Sequence, residues 1–169
     1  NGLERVDQIK DKIADMVIHA TLIRATLEAA MGNSSISPEG VVVPDELYAN
    51  TGKFQGAAYR NAMIQHIQDI AGGSVVTAPS TKDLANPEIG EIVRKYMGTK
   101  QSIDGNYRTR LFHALRDFTA SAYAGHQAVS VIQAGGGLFA QRVVTRSRYD
   151  MATARQMALD LACLDDPWA

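Results

Sequence analysis

The chain contains a single cysteine, and other features that mark particular classes of protein are missing as well. Cys163 alone allows neither an internal disulfide nor a metal cluster built from the chain's own cysteines. The 17 basic and 18 acidic residues nearly balance and form no basic stripe, so we expect no nucleic-acid partner. The sequence has no run of roughly 18 apolar residues and no signal-peptide pattern. We therefore expect no membrane contact and a soluble, cytoplasmic protein.

The length of the chain, 169 residues, suits one domain and is sufficient to bury a sizeable core. The sequence shows no internal repeat and no low-complexity tract. It begins at Asn1 rather than at a methionine, and a helical pattern starts at once. We expect residues 1–169 to form one domain of a longer protein.

Apolar residues recur at spacings of three and four through most of the chain, which predicts α-helices. The predicted helices run from Leu3 to Ala30, from about Thr51 to Ala71, from Asn86 to Gly98, from about Asp104 to Ile132, from about Leu138 to Arg146, and onward from Asp150. Gly32 and Asn33 end the first helix, and residues 33–47 predict a surface loop. The predicted fold is all-α, an antiparallel helical bundle.

The segment from Gln68 to Ser80 interrupts this pattern. The second helix runs into Gly72 and Gly73, and the β-branched residues after them predict an extended stretch that ends in a Pro79-Ser80 turn. Paired glycines let a ligand approach the backbone and can point successive N–H groups at an anion such as a pyrophosphate. The same pair is also an ordinary C-terminal cap of a helix, so the pattern leaves both interpretations open.

A second glycine-rich break follows the fourth predicted helix. It consists of Gly135, Gly136 and Gly137, and Gln141 and Arg142 come shortly after it. Taken singly, each break is a helix terminator. Two such breaks beside amide or guanidinium side chains in one bundle make a phosphate-bearing ligand an equally open interpretation.

The histidines offer one candidate catalytic group. His19 lies on or beside the apolar stripe of the first helix, where a histidine is either a hydrogen-bonded packing residue or a catalytic one. His66 has the same ambiguity on the second helix. His113 and His126 are thirteen residues apart, and no pair of histidines or carboxylates has ligand spacing. We therefore expect no metal site built from this chain alone.

Several segments together resemble the C-terminal domain of one flavoenzyme family. They are, in chain order, Gln68–Ser80, Asp83, Asn86–Glu88, Gly90, Arg110–Phe112, Asp117, Thr119–Ser121, Gly135–Gly137 and Ala140–Arg142. The family contains 4-hydroxyphenylacetate 3-hydroxylase and 4-hydroxybutyryl-CoA dehydratase. The resemblance implies an acyl-CoA-dehydrogenase-like fold with this chain as its C-terminal helical bundle. An N-terminal helical domain and a central β-domain would lie elsewhere in the protein.

The resemblance also implies a cofactor and an assembly. Members of the family bind FAD and are typically homotetramers, with this bundle at the subunit contacts and close to the flavin. The residues that the resemblance places at the cofactor are Gln68, Gly72, Gly73, Ser74, Gln133, Gly135, Gly136 and Gly137. We expect the isolated bundle to self-associate or to expose an apolar patch, because faces built to be covered would be open.

The chain resembles the dehydratase branch of the family in two sequence segments but lacks the side chains that carry the chemistry of that branch. Asp69–Gly73 and Ala140–Arg142 are similar to it. In that branch the first bundle helix carries a histidine and then a cysteine, which both ligate a 4Fe-4S cluster. His19 stands at the histidine position, but Thr26 stands at the cysteine position, and a hydroxyl is a poor replacement for a thiolate. The resemblance therefore implies no iron–sulphur cluster.

Other polar groups of that branch are replaced too. Ile23 and Leu27 stand at tyrosine and lysine positions, Gln133 at a histidine position, and Ser130 at a glutamate position. The loss of so many polar groups argues against radical dehydration of a hydroxyacyl-CoA. A dehydratase or isomerase acting on a short acyl-CoA stays the alternative enzyme.

The oxygenase branch needs less from this domain. Its members use FAD that a separate reductase supplies in reduced form, and they hydroxylate a phenol with dioxygen. The resemblance thus implies a two-component, FADH2-dependent aromatic monooxygenase, in which His19 is the base and faces the active-site cavity. Classical hydroxylases usually lack the Gly135–Arg142 pattern, so a relative with other chemistry also fits. A detached helical bundle that only mediates assembly is the third alternative.

Overall fold

The computed structural model describes residues 3–99 and 102–165, which form a bundle of α-helices. The helices are α1 (Asp7–Gly32), α2 (Glu46–Ala71), α3 (Ser74–Thr77), α4 (Thr81–Ala85), α5 (Gly90–Met97), α6 (Gly105–Thr119), α7 (Ala122–Gln133), α8 (Gly137–Arg148) and α9 (Met151–Ala162). A 3-10 turn, Leu3–Arg5, precedes α1. Strands β1 (Ser35–Ile36) and β2 (Val42–Val43) pair antiparallel, with Ser35 opposite Val43, and are the only sheet in the described part of the chain. The predicted all-α class is confirmed.

The first two long helices form an antiparallel pair joined by the β-hairpin. α1 ends at Gly32, as predicted, and the Asn33 side-chain amide donates to the Ala29 carbonyl at 2.9 Å. α2 begins at Glu46, several residues before its predicted start. The reason is Asp45, whose carboxylate accepts a backbone N–H of the first turn at 3.0 Å and caps the helix there.

α2 is the centre of the bundle, since α1 and α8 pack along it and α6 and α7 also contact it. Two glycines on α2 face α1. A Cβ on Gly52 would lie 2.5 Å from the Thr26 hydroxyl oxygen, and a Cβ on Gly56 would lie 3.6 Å from the Ile23 side chain. The contact between Gly52 and Thr26 therefore leaves no room for a side chain.

Charged side chains join α1 and α2 nearer the C-terminal end of α2. Lys12 Nζ lies 2.5 Å from Asp69 Oδ2, and His66 Nε2 lies 3.3 Å from Asp15 Oδ2. The hydrogen bond and the charge of Lys12 hold the pKa of the Asp69 carboxyl below its usual value. His66 therefore has a packing partner on the neighbouring helix.

The prediction of one helix from Asp104 to Ile132 was wrong, because two helices occupy this stretch. α6 ends at Thr119, Ala120 has a φ of −144°, and Ser121 caps α7 by accepting the backbone N–H of Ala124 at 3.3 Å. The apolar spacing continues across the break, so periodicity does not reveal it. The serine cap was the local signal.

The prediction of an extended stretch after Gly73 was also wrong, since Ser74–Thr77 is the short helix α3. Val75 is buried, and α3 packs against α6. The Thr77 hydroxyl donates to the Gly73 carbonyl at 3.0 Å. Burial and this local hydrogen bond outweigh the β-propensity of valine and threonine.

The short helix predicted from Asn86 begins later, at Gly90. The side-chain oxygen of Asn86 instead accepts the backbone N–H of Glu88 at 2.8 Å and forms a turn. An additional helix, α4, precedes this turn and starts with a capping box between Ser80 and Asp83. The hydrogen bonds from Ser80 hold the pKa of the Asp83 carboxyl below its usual value.

Few apolar side chains of the bundle are fully buried, and many are exposed. The buried apolar residues among those described are Ala30, Ala57, Val75, Phe112 and Ala124. Along α1 the exposed large apolar residues include Val17, Ile18, Leu22, Leu27 and Met31. Apolar surface of the kind we expected is therefore present on α1. No helix within the described ranges combines the length and the apolar character needed to cross a bilayer.

Replacing Gly52 by alanine is expected to lower the free energy of unfolding by about 1–2 kcal/mol, because overpacking against Thr26 outweighs the gain in helix propensity. Gly56→Ala is the matched control, since its Cβ meets Ile23 at an ordinary contact distance. It should keep a propensity gain of up to about 1 kcal/mol. Denaturant unfolding of the purified variants measures both values. Thr26→Ala should partly rescue Gly52→Ala, and equal effects of the two glycine substitutions would contradict the close contact.

Candidate functional site

A cavity of about 500 Å³ lies beside α2, between α1 and the break that separates α7 from α8. Its lining residues are Ile23, Thr26 and Leu27 from α1, Tyr48, Ala49, Gly52, Lys53, Gly56 and Ala57 from α2, and Val131, Ala134, Gly135 and Gln141 from the α7–α8 region. The small residues of α2 provide the space. A mostly apolar cavity with a few polar side chains is typical of small-molecule sites.

Gln141 is the most deeply buried polar side chain of the cavity wall, with 1% of its surface exposed. Its amide nitrogen donates to the Gly135 carbonyl at 3.2 Å. Its amide oxygen has no hydrogen-bond partner among the described residues. A Cβ on Gly135 would collide with the Gln141 amide, so only glycine lets this side chain fold back beneath the break. The amide oxygen is thus an unpaired hydrogen-bond acceptor that the surrounding residues enclose.

The predicted glycine run is required by the backbone itself. Gly136 and Gly137 have φ values of +86° and +79°, which residues with a Cβ rarely adopt. Gln133, the last residue of α7, is exposed. Of the predicted cofactor residues in this region, Gly135 alone lines the cavity.

Three residues of α1, which are Ile23, Thr26 and Leu27, line this same cavity. Ile23 and Leu27 contribute aliphatic surface. The Thr26 hydroxyl lies 2.8 Å from the Ile23 carbonyl and 3.1 Å from the Leu22 carbonyl, to which it donates. Because carbonyl groups of α1 accept the hydrogen bond from the Thr26 hydroxyl, the part of the wall that α1 contributes is in effect apolar.

His19 lies about two helical turns before Thr26 and contacts α2. Its Nδ1 is 3.3 Å from Nε2 of Gln55, and its ring centroid is 5.8 Å from that of Tyr59. Since an amide nitrogen only donates, Nδ1 accepts, and the neutral imidazole carries its proton on Nε2. His19 is half-buried and is not one of the residues that line the cavity. Its catalytic role stays a prediction.

The other predicted cofactor residues lie around the C-terminal end of α2. The Gln68 amide donates to the Thr119 carbonyl at 3.1 Å, where α6 ends, and so joins two helices. Gly72 has a φ of +66°, and an added Cβ at Gly72 or Gly73 would meet no atom within 4 Å. Ser74 begins α3. Gly72 is the C-terminal cap of α2, since its N–H donates to the Gln68 carbonyl, and a contact between these glycines and a cofactor stays a prediction.

The two groups of predicted cofactor residues are far apart in one chain. Lys53 lies beside Gly135 and lines the same cavity. Gly72 is at the other end of α2, roughly 30 Å away at the rise of an α-helix. One chain therefore does not bring the two glycine groups together.

The remaining histidines contact neighbouring groups. His113 Nε2 lies 2.8 Å from the Pro79 carbonyl, and His126 Nε2 lies 3.3 Å from Ser130 Oγ. In the ranges that the structure describes, no group of three or more His, Cys, Asp or Glu residues is placed to hold a metal ion.

The sequence pattern marks Gln141 only as an amide near the glycine run, and it does not single out Lys53. A signal for Gln141 exists, because it lies in the first turns of α8, from which a long side chain can fold back on the break. Lys53 offers no signal, since a lysine on an amphipathic helix ordinarily faces solvent.

Comparison with known proteins assigns the chain to a family. The family model described as HpaB, 4-hydroxyphenylacetate 3-hydroxylase C terminal, matches residues 1–162. The chain belongs to this family. The predicted recognition is therefore confirmed.

Curated relatives come from both branches of the 4-hydroxyphenylacetate 3-hydroxylase family. The oxygenase component of 4-hydroxyphenylacetate 3-monooxygenase from Geobacillus sp. strain PA-9 is 25% identical over 126 residues, which are 75% of this chain and 25% of that protein. The 4-hydroxybutyryl-CoA dehydratase/vinylacetyl-CoA-Δ-isomerase from Clostridium aminobutyricum is 23% identical over 171 aligned positions, which cover 96% of this chain and 35% of that protein. The chain thus spans about a third or less of these relatives.

Solved structures of both branches share the helical bundle. An oxygen-tolerant archaeal 4-hydroxybutyryl-CoA dehydratase from N. maritimus has a TM-score of 0.88 at 28% identity, over 98% of this chain and 33% of that chain. The oxygenase component of 4-hydroxyphenylacetate 3-monooxygenase, complexed with FAD, has a TM-score of 0.86 at 18% identity, over 95% of this chain and 33% of that chain. At that identity the second likeness establishes the fold alone.

Gly135→Ala is expected to lower the free energy of unfolding by about 1–3 kcal/mol, because the added Cβ collides with the buried Gln141 amide. Gly125 within α7 is the matched control, since a Cβ there would meet no atom within 4 Å. Gly125→Ala should stabilise the helix by up to about 1 kcal/mol. Thermal and denaturant unfolding measure the difference. A neutral Gly135→Ala variant would show that Gln141 is not held against the break.

Proposed function

We propose that this chain is the helical bundle of a two-component, FADH2-dependent monooxygenase that hydroxylates a phenolic substrate. The family match over residues 1–162 carries the proposal. The choice of the oxygenase branch rests on the cavity wall, where Ile23, Thr26 and Leu27 present apolar or internally bonded groups. A cytoplasmic location is part of the same proposal.

The residues present fit a bound flavin at both glycine groups. At Gly72 and Gly73 an added Cβ would meet no atom within 4 Å, so a phosphate can approach the backbone closely. At Gly137 the backbone is equally open. We propose that Gln68, Gly72, Gly73 and Ser74 contact one part of FAD, and Gln133 with Gly135, Gly136 and Gly137 another. When bound, reduced flavin supplies the reaction with dioxygen.

A homotetramer would explain how two glycine groups at opposite ends of α2 can contact the same flavin. Because they lie roughly 30 Å apart in one chain, we propose that each flavin is contacted by the Gly72 end of one copy and the Gly135 end of another. The exposed apolar residues of α1 support an assembly that covers them. A flavin reductase is the further partner, since the reduced cofactor has to be supplied.

In this proposal the residues of the chain bind, exclude water and move a proton. The apolar wall formed by Ile23, Leu27 and Val131 keeps water from the ring of the substrate. His19 accepts the phenolic proton at Nδ1, its unprotonated nitrogen, and the phenol there replaces the hydrogen bond that Gln55 donates. His19 reaches the substrate only if the complete active site brings the phenol to its side of α1.

An iron–sulphur cluster does not fit the residues at this wall. Cluster iron is ordinarily held by thiolates. Thr26, at the position of the cysteine ligand, has a neutral hydroxyl that donates to carbonyls of its own helix. We therefore propose a reaction that uses no cluster.

A dehydratase or isomerase acting on a short acyl-CoA is the second candidate, and one observation favours it. The archaeal dehydratase is 28% identical to this chain, whereas the hydroxylase structure is 18% identical. This candidate would require proton transfer by groups outside the cavity wall that the chain provides.

The visible spectrum of the full-length protein separates the two candidates. Flavin absorption alone, together with hydroxylation of a phenol when NADH and a flavin reductase are added, is the expected result. Additional broad iron–sulphur absorption, with turnover of a hydroxyacyl-CoA, would contradict the monooxygenase.

Replacing His19 by Ala or Asn in the full-length protein is expected to lower phenol hydroxylation by about 100-fold, because a general base acts on the reaction. The release of hydrogen peroxide should rise relative to hydroxylated product, while the dissociation constant of FAD stays the same. Product analysis, a peroxide assay and flavin titration measure the three quantities.

His66→Ala is the matched control for the His19 variants. His66 is also half-buried between α1 and α2, but it pairs with Asp15. This variant should lower the melting temperature with little change in turnover. If the His19 variants behave in the same way, the contacts of His19 with Gln55 and Tyr59 are its whole role.

A further inference from the structure

We propose that a groove between α1, the C-terminal end of α2 and α6 binds an aliphatic carboxylate of medium length, whose anionic head pairs with Arg108. The groove has a volume of about 570 Å³ and shares no lining residue with the 500 Å³ cavity in the described part of the chain. The function proposed above gives no role to the residues of this groove. The groove is therefore a second binding site, separate from the monooxygenase reaction.

The wall of the groove is mainly aliphatic. Side chains from all three helices form it, and they include Ile13, Met16, Ile67, Ile70, Leu111 and Leu115. Ile13 and Leu111 remain 42% and 46% exposed, so a bound alkyl chain would remove apolar surface from water. An unbranched chain can bend to follow side chains that project from three helices. The volume of the groove suits a chain of about eight to twelve carbons.

Arg108 supplies the positive charge of the groove. Its Nη1 donates to the Met97 carbonyl at 3.3 Å, and its guanidinium carbon lies 5.3 Å from the centroid of the Phe112 ring. These two contacts hold the half-buried guanidinium group in place. None of the ion pairs within the described ranges includes Arg108. A partly desolvated cation without a counterion is unfavourable, and a carboxylate that accepts two parallel N–H bonds removes that penalty.

Glu4 limits the negative charge that a ligand can carry. It lines the same groove without forming an ion pair with Arg108, and these two are the charged residues among the described residues of the wall. Since Glu4 repels negative charge, the groove favours a monoanion over a phosphate dianion. A carboxylate also matches the planar fork of a single guanidinium group.

FAD is a competing source of an anion, since its phosphates would also pair with a guanidinium group. Ala71 lines the groove and precedes Gly72, which the proposed function assigns to FAD. An aliphatic carboxylate in its own site binds to protein that already holds FAD, whereas a groove that belongs to the cofactor site is closed in that protein. The experiment therefore uses FAD-loaded protein and measures the affinity for FAD separately.

The test is isothermal titration calorimetry of the full-length, FAD-loaded protein with decanoate, below the concentration at which decanoate forms micelles. One decanoate should bind per chain, and hexanoate should bind about tenfold more weakly or worse, because each buried CH2 group contributes to the affinity. Arg108→Met keeps an apolar stem and removes the charge. This variant should bind decanoate about tenfold more weakly or worse, while its dissociation constant for FAD stays the same.

Two further variants test the direction of the charge effect. Glu4→Gln removes the repulsion and should tighten the binding of decanoate by about twofold to fivefold. Arg110→Met is the matched control for Arg108→Met, because Arg110 is exposed on the same helix and is not one of the residues that line the groove. It removes the same charge and should leave the affinity for decanoate unchanged.

Decanoate that does not bind to the wild type, or that binds Arg108→Met and the wild type equally well, overturns the inference. Displacement of FAD by decanoate, or FAD affinity weakened about tenfold in Arg108→Met, assigns the groove to the cofactor and overturns it as well. Phenol hydroxylation is measured without decanoate, so the failure of the monooxygenase proposal is seen independently of these results.

A pair of ligands tests the same point in the wild type if Arg108→Met does not fold. Decanamide has the chain length of decanoate and lacks its charge, so it should bind about tenfold more weakly. Equal binding of decanamide and decanoate would show that the groove selects an alkyl chain alone, and would overturn the role of Arg108.

Discussion

The close approach of α1 to α2 at Gly52 is the constraint on which the rest of the bundle depends. Thr26 occupies the space that a side chain on Gly52 would need, so the separation of the two helices is set there by the Thr26 side chain against the backbone of α2. α2 then carries α8 along its length, where the Arg142 guanidinium lies 4.8 Å from the Phe54 ring centroid and Arg148 pairs with Glu46. The position of α8, and with it the position of Gln141, thus follows from how α2 is held.

Packing and binding use the same small residues in this molecule. Gly52 and Gly56 bring α1 close and also line the cavity, because a residue without a side chain leaves space wherever the neighbouring helix does not fill it. The α7–α8 break is equally constrained. Two of its glycines have positive φ, and the third touches the Gln141 amide. A change in this break therefore alters backbone, packing and acceptor together, which explains why it is built from three glycines.

The helix layout was predictable from the sequence because apolar spacing reports the buried face of each helix. The breaks between helices were harder to predict. The apolar spacing continues across Ser121, where α7 begins. The valines and threonine of Ser74–Thr77 are helical because Val75 is buried against an element that is distant in sequence. The site shows the same division. Glycine runs are visible in sequence, but the unpaired oxygen of Gln141 depends on contacts that form only when the chain folds. The separation of Gly72 from Gly135 was partly foreseeable, since a long second helix places its two ends far apart.

The face of α1 that lines the cavity suggests how one fold can support different reactions. Ile23, Thr26 and Leu27 follow the spacing of three and four residues, so one stripe of a single helix sets the polarity of the part of the wall that α1 contributes. Threonine suits the closest contact because its hydroxyl donates to carbonyls of its own helix and leaves no unpaired donor beside Gly52. The bundle therefore needs no rearrangement to exchange these groups, in agreement with TM-scores of 0.88 and 0.86 to structures of the two branches. The fold positions the wall, and in the function proposed above the residues of the wall select the reaction.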